Sequence, residues 1–338
     1  MSESRSSVSH HRVLADEAGQ RIDNFLLRRL KGVPRSRVYR LLRRGEVRID
    51  GARVRPTARL EAGQLVRIPP VTQAARPEGV AGGGAAARLP AALLERLRHA
   101  VLYEDERLIV LNKPSGLAVH GGSTVRLGLI EALRQLRPQL PFVELAHRLD
   151  QETSGCLILA KRRSTLRRLH AQLRDGAVRK QYTALLVGTL AESHYRIDAP
   201  LERRSGAGHE RQVWVSEAGR AARTELQLRR SYVVGEPVIG GGVSLVDVDL
   251  ATGRTHQIRV HCAHIGHPVA GDARYGEHAA NAELRRRCGL RRLFLHASGV
   301  AFEHPDHGTP LEVVAPLSED LQRALARLDN EQRIEESP

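Results

Sequence analysis

The sequence predicts an α+β fold with a mixed, mostly antiparallel sheet, and three observations predict it. Short runs of branched and aliphatic residues alternate with helical patterns through the longer C-terminal part: Leu108-Ile109-Val110-Leu111, Cys156 to Ala160, Thr183 to Val187, Thr224 to Leu228 and Val243 to Leu250. No Gly-x-Gly-x-x-Gly opens a helix after the first of these strands and no Gly-Lys-Ser/Thr is present, which excludes the Rossmann and P-loop readings and, with them, a nucleotide cofactor. A stretch over 71–92, with Pro77, Gly79 and Gly82-Gly83-Gly84-Ala85-Ala86-Ala87, offers nothing to bury and reads as a flexible linker between two units, 12–70 and 93–328. There is no repeat at solenoid periods.

The elements follow in order. Residues 1–11 are polar and read as a disordered tail; they lack the apolar segment of a secretory signal, and no apolar run approaches a membrane span, so a cytoplasmic, non-membrane protein is expected. The first unit opens with a helical pattern, Ile22, Phe25, Leu26 and Leu30, broken at Gly32-Val33-Pro34. A second helix is predicted from Ser36, as cap, to Arg44, with Val38, Leu41 and Leu42 on one face and a stripe of Arg37, Arg40 and Arg44 on the other. Gly45 ends it, Val47-Arg48-Ile49 alternates as a strand, Asp50-Gly51 marks a hairpin, and Leu65-Val66-Arg67-Ile68 closes the unit. The acidic end, 329–338, reads as a loose tail.

At 338 residues and 41% hydrophobic content the chain is long enough for a full core and two domains. Its 53 Lys and Arg against 38 Asp and Glu leave a net charge of +15, spread along the chain, which attracts a polyanion; nucleic acid is the leading partner. Only Lys31, Lys113, Lys161 and Lys180 are lysines. A GC-rich genome would favour arginine in this way, but codon bias does not create excess positive charge. Cys156, Cys262 and Cys288 are odd in number and scattered, which suits a reducing compartment better than a disulfide framework. Two short helices, the second basic, and a small hairpin resemble the S4 RNA-binding domain, matched most closely over Gly32-Val33-Pro34-Arg35-Ser36-Arg37 to Gly45-Glu46-Val47-Arg48-Ile49. That resemblance implies contact with the RNA backbone through Arg35, Arg37, Arg40 and Arg44.

Four segments of the second unit carry unusual combinations. Asn112 to Gly122, turn-rich and following a strand, has glycines that let backbone approach a ligand. Ala146-His147-Arg148-Leu149-Asp150-Gln151-Glu152-Thr153-Ser154-Gly155 sets one carboxylate beside an arginine in a polar loop, ahead of a buried strand over Gly155 to Lys161 with Gly155 as the turn-former. Arg179-Lys180-Gln181-Tyr182 enters the strand Thr183 to Val187, where alternation puts Tyr182 and Ala184 on one face. In Thr252-Gly253-Arg254-Thr255-His256-Gln257-Ile258-Arg259-Val260-His261, Thr255 is the expected helix cap, Ile258, Cys262 and Ile265 the buried stripe, and Arg259 lies at the boundary, where a long cation reaches a cleft. His261, Cys262, His264 and His267 drift round the helix, and no metal site is expected from them.

Together these segments resemble the RluA-like family of ribosomal large-subunit pseudouridine synthases, within it the C-type group with an N-terminal S4 domain, over nearly the whole chain. The specific matches are His-Arg-Leu-Asp-x-x-Thr-Ser-Gly at 147–155 and Gly-Arg-Thr-His-Gln-Ile-Arg at 253–259, with Lys-Pro-Ser-Gly-Leu-Ala-Val-His-Gly-Gly at 113–122 narrowing the group. The resemblance implies the pseudouridine synthase fold, Asp150 as catalytic aspartate, Tyr182 stacked on the target base, Arg259 paired with Asp150, and Arg148 holding the flipped nucleotide. Leu295, in Phe294-Leu295-His296-Ala297, would line the pocket; His147, Thr153 and Arg254 fall among the substrate-binding residues. The Gly/Ala-rich linker and an insert around Gly235 to Gly242 depart from the pattern.

The implied reaction breaks the bond from ribose C1′ to base N1, rotates uracil, and joins C1′ to C5, with no redox change and no small-molecule cofactor. Its one obligatory group is a carboxylate that attacks C1′ or removes the C2′ proton; sequence leaves both open. Either role needs Asp150 charged within a pocket, which a close Arg259 guanidinium favours. A sugar-cleaving hydrolase would use a second carboxylate to activate water. Three readings follow: an isomerase acting as a monomer on 23S ribosomal RNA, a non-enzymatic RNA chaperone for which Asp150 is dispensable, and an RNA N-glycosidase that releases free uracil.

Overall fold

The computed structural model describes residues 8–14, 17–30, 33–71, 90–119, 128–205, 211–233 and 241–335. The chain divides into two units, Met1–Arg88 and Leu89–Pro338.

In the first unit, β1 (Ser9–Arg12), α1 (Ile22–Arg29), α2 (Arg35–Arg44), β2 (Arg48–Ile49), β3 (Ala52–Arg53) and β4 (Leu65–Ile68) follow in chain order, with sheet order β1-β4-β2-β3. Ile22 and Leu26 of α1 meet Val38 and Leu42 of α2 over Val47 and Val66, all buried, which accounts for the apolar spacing of both helices. Asp50 and Gly51 both take positive φ (49° and 81°), the geometry that a two-residue hairpin demands. Two expectations need correction. Residues 9–11 of the expected tail lie in β1, pairing antiparallel with β4 from Ser9↔Ile68 to Arg12↔Leu65; backbone bonds need no apolar side chains, and Val13 anchors the strand in the core. The cap of α2 is Pro34, not Ser36: its carbonyl accepts the N–H groups of Arg37 and Val38, and Ser36 falls within the first turn. Gly45 ends α2 in the left-handed region.

The second unit opens with α3 (Ala91–Arg98), so the last two residues of the expected linker are helical because Leu97 anchors that helix in the core. Residues 72–89 lie outside the described set. Then come β5 (Val101–Glu104), β6 (Leu108–Lys113), α4 (Leu129–Leu136), β7 (Glu144–Leu145), β8 (Ser154–Ala160), α5 (Arg163–Arg174), β9 (Arg179–Val187), β10 (His194–Asp198), β11 (Leu201–Ser205), β12 (Arg211–Val215), β13 (Arg223–Val233) and β14 (Gly242–Leu250). The unit ends with α6 (Gln257–His264), α7 (His278–Arg287), β15 (Leu295–Glu303), β16 (Pro310–Val314) and α8 (Glu319–Glu335).

Its main sheet runs β10-β13-β14-β9-β15-β8-β6-β5, with β16 on β15 and β7 on β8, and only β15 with β8 is parallel. The sheet is therefore mixed and mostly antiparallel. All seven residues of β8 are buried, so the strand reads as a continuous apolar run without alternation. Gly155 is a strand residue rather than a turn: its φ is 108°, and a Cβ there would overlap the backbone of Ala297 on β15.

The expected tail over 329–338 is helical through Glu335. Leu321, Ala324 and Leu328 of α8 are buried with Tyr232, Val243 and Leu284, and Asp329 pairs with Arg230 at 2.6 Å. An amphipathic stripe that begins before the acidic run carries that run along as its solvent face. No described helix is long and apolar enough to cross a membrane.

Candidate active site

The loop before β8, the start of β15 and the strand β9 meet at one end of three adjacent strands, and the loop after β14 joins them. They enclose a cleft of about 860 Å³ lined by the 146–150 loop, Thr153, Tyr182, the 250–259 segment and Leu295. The lining also carries the cations Arg148, Arg174, Lys180, Arg220, Arg254 and Arg259, and its one carboxylate is Asp150.

The Asp150 loop is held from two directions. On one side the Nζ of fully buried Lys113 donates to the carbonyls of Pro114, Leu117 and Gln151 at 2.9–3.0 Å. Gly116 N–H donates to Gln151 O at 2.9 Å, and Ser115 Oγ donates to Glu152 O at 2.6 Å. Three carbonyls take the three ammonium protons, while burial pushes the Lys113 amine down to about 7. On the other side Ile158 N–H of β8 donates to His147 Nε2 at 3.1 Å, and burial, with Lys180 nearby, pushes His147 down to about 4. His147 is thus a neutral acceptor that ties the loop to the sheet, a structural task beside its place on the cleft wall. Thr153 N–H donates to Asp150 O at 3.2 Å and closes the turn. Gly121 and Gly122, two of the glycines expected to let backbone approach a ligand, lie outside the described residues, as does His120.

The Asp150 side chain is 26% exposed, and among the described residues no donor lies within hydrogen-bond distance of its carboxylate. Oδ2 faces Arg259 Nη1 at 4.0 Å and His256 Nε2 at 3.9 Å. Arg259 itself is committed elsewhere. Its Nε and Nη2 donate to Asp272 Oδ2 and Oδ1 at 2.7 Å each, and its guanidinium lies 5.1 Å from the ring centre of Tyr275. The expected Arg259–Asp150 pair is therefore the looser of two, because the fork of the guanidinium is filled by a fully buried carboxylate from the turn after α6. Burial alone would raise Asp272, but the Arg259 bonds and the N–H groups of Arg274 and Tyr275 hold its carboxyl below the ordinary range.

Helix α6 is capped by His256 in the left-handed conformation, not by Thr255. The buried Gln257 does the work expected of a cap: its Oε1 accepts from Thr252 Oγ1 and Arg254 N, and its Nε2 donates to Arg223 O and Thr224 Oγ1. Arg254 also gives its Nε to Ala221 O at 3.1 Å. His261 bonds Thr224 Oγ1 and Ala199 O and is buried, so it is part of the packing. Tyr182 and Leu295 are 7% and 3% exposed and line the cleft; burial, with the charge of Asp150 next, raises the Tyr182 phenol, which stays protonated.

Arg148 is exposed on the cleft wall. In the first unit, Arg40 and Arg44 are exposed on α2 and Arg37 is half-buried; the side chain of Arg35 lies outside the description. Sequence reasoning missed Asp272, His256, Lys113 and Lys180 as contributors. Lys180 sits two residues before Tyr182 on β9, so strand alternation was the signal that places it on the cleft face. Its ammonium has no hydrogen bond or ion pair among the described residues, and burial lowers it.

A solitary carboxylate in a cation-lined cleft, beside a buried tyrosine, has the charge and chemistry of a site for a polyanionic substrate. Comparison with known proteins gives the family. Residues 107–264 match the model for RNA pseudouridylate synthase and residues 20–66 the S4 domain. Ribosomal large subunit pseudouridine synthase C of Escherichia coli is 46% identical, over 96% of this chain and 98% of its own length, and that of Haemophilus ducreyi is 45% identical over 96% of each. Among solved structures, human RNA pseudouridylate synthase domain containing 4 is similar, with a TM-score of 0.56 and 26% identity over 70% of this chain and 96% of its own. The chain belongs to the RNA pseudouridylate synthase family and is a pseudouridine synthase with an S4 domain.

Proposed function

We propose that the protein isomerises specific uridines of 23S ribosomal RNA, with Asp150 as the group that acts on the sugar. The curated relatives carry a large-subunit ribosomal name, and the observation that carries the chemistry is the lone cleft carboxylate facing Arg259 and His256. The target uridine leaves its stack at a cost of a few kcal/mol, and stacking on Tyr182 offsets about 1–3 kcal/mol of it. Asp150 then attacks C1′ or removes the C2′ proton, the uracil turns against Leu295, and C5 joins C1′ before losing its proton. The cleft cations, Arg148 and Arg254 among them, hold the phosphates, and the arginines of α2 add sequence-independent contact. His147 and Thr153 keep the Asp150 loop in place.

Glycoside hydrolysis would need a second carboxylate to activate water. Asp272 is the other acid of this neighbourhood, and it is fully buried with both oxygens bonded. That favours rejoining of the base over its release. Asp150→Asn is expected to abolish tritium release from 5-labelled uridine in ribosomal RNA, a fall of at least about 10³-fold, while RNA binding persists. Full activity in that variant, or free uracil as product, would overturn the reading.

A further inference from the structure

His256 is one of two described residues other than glycine with positive φ, at 53°. Asp50, the other, sits in a hairpin turn that demands it, whereas His256 holds a sparsely populated conformation at the mouth of a helix. Its ring points two ways. Nδ1 lies 2.8 Å from the Tyr275 hydroxyl oxygen, and that oxygen also accepts the Val213 N–H at 3.3 Å. The phenol has one proton, and His256 Nδ1 is its only acceptor among the described residues; burial raises the phenol further, so the proton stays. The pairing that leaves neither the Val213 N–H nor the Tyr275 O–H idle runs from Val213 N–H to Tyr275 O, and from Tyr275 O–H to Nδ1. The remaining proton of a neutral imidazole then sits on Nε2, which faces Asp150 Oδ2 at 3.9 Å. Burial lowers the pKa of His256, with Arg259 and Arg274 acting in the same sense against Asp150 and Asp272, so the ring is neutral at pH 7.

We infer that His256 is a positioning residue for Asp150: Tyr275 fixes it as the Nε2–H tautomer, and that N–H joins Arg259 in holding Oδ2, which leaves Oδ1 to act on the sugar. The inference rests on the proposed isomerase reading. Both approaches to Oδ2 are about 1 Å longer than hydrogen bonds, and catalytic hydrogen bonds that are long without substrate tighten in the substrate complex. With the backbone of His256 left-handed, the ring lies with one edge toward the 150 loop and the other held by Tyr275.

The test uses the full chain with 5-tritiated ribosomal RNA. His256→Asn is suitable because asparagine tolerates the left-handed region but is too short to reach Asp150. Tyr275→Phe keeps the ring beside Arg259 and removes only the hydroxyl. His256→Asn is expected to lower kcat about 10- to 100-fold, the loss of one hydrogen bond to a charged group, and Tyr275→Phe, which removes a neutral bond to Nδ1, about 3- to 10-fold, with KM within about twofold in each. His256→Gln, whose amide N–H reaches further, restores most of the rate. Nitrogen-15 spectra of the wild type should place the proton on Nε2. Unchanged kcat in both His256→Asn and Tyr275→Phe, or a proton on Nδ1, overturns the role of His256 while Asp150→Asn remains inactive. A wild type that releases no tritium overturns the isomerase reading instead.

Discussion

Asp150 and Asp272 share one guanidinium, and the molecule treats them in opposite ways. Asp272 is fully buried and takes the Nε/Nη2 fork of Arg259 at 2.7 Å, with the N–H groups of Arg274 and Tyr275 on the same carboxylate. Asp150 keeps 26% of its side chain exposed and meets only the third nitrogen, at 4.0 Å. One carboxylate is consumed in holding the arginine; the other, the proposed catalytic acid, is left without a hydrogen-bond donor among the described residues. The difference shows how a site fixes a positive charge beside an acid without neutralising that acid: a second, buried acid orients the cation.

The most disruptive way to test that contrast is Asp272→Asn, which leaves a buried guanidinium without its countercharge. It should destabilise the fold by about 3–5 kcal/mol in urea unfolding, whereas Asp150→Asn should stay within about 0.5 kcal/mol of wild type. Equal losses would erase the distinction.

A smaller effect separates the proposed catalytic acid from its surroundings. Tyr182→Leu retains apolar bulk on the cleft wall but removes the aromatic face, and kcat/KM should fall by about 1–3 kcal/mol, roughly 5- to 150-fold, with stability changed far less than by Asp272→Asn.

The mildest test is acid titration, which should loosen the Asp150 region before the Asp272 region. Unfolded His147 takes up a proton near 6.5, but burial holds the folded ring to about 4, so its contribution is complete above pH 6.5 and is lost as pH falls toward 4. Protonation removes the acceptor of the Ile158 N–H. Asp272 has a folded pKa below its ordinary 3.8, so its contribution persists to that pH and disappears only as pH falls further. Amide exchange, corrected for intrinsic rates, should therefore show Ile158 losing protection between pH 6.5 and 4 while Tyr275 stays protected. The reverse order would sink the assignment of His147 as the tie.

Much of the fold was legible because it is written in local patterns. The run Leu65 to Ile68, the stripe of Val38, Leu41 and Leu42, and the apolar stretch Cys156 to Ala160 each became the element expected. The errors lie where a neighbour decides. Gly155 resembled a turn because its need for a bare Cα arises from Ala297, more than a hundred residues away in the chain. The acidic end resembled a tail because its charged face hides a helix whose partners are Tyr232 and Val243. Of the expected site residues, the structure brings Asp150, Arg148, Tyr182, Leu295, His147, Thr153, Arg254 and Arg259 to one cleft.

By itself the sequence determined the strands and helices, the basic surface and the lone aspartate between a histidine-arginine pair and a buried strand, because periodicity, turn chemistry and composition act over a few residues. Tertiary structure alone decided which carboxylate takes the fork of Arg259, that Lys113 clasps the Asp150 loop from an adjacent strand, and which edge of His256 is free. Those choices depend on distances and burial between elements remote in the chain, and a guanidinium, an ammonium or an imidazole has no preferred partner until folding brings one within reach.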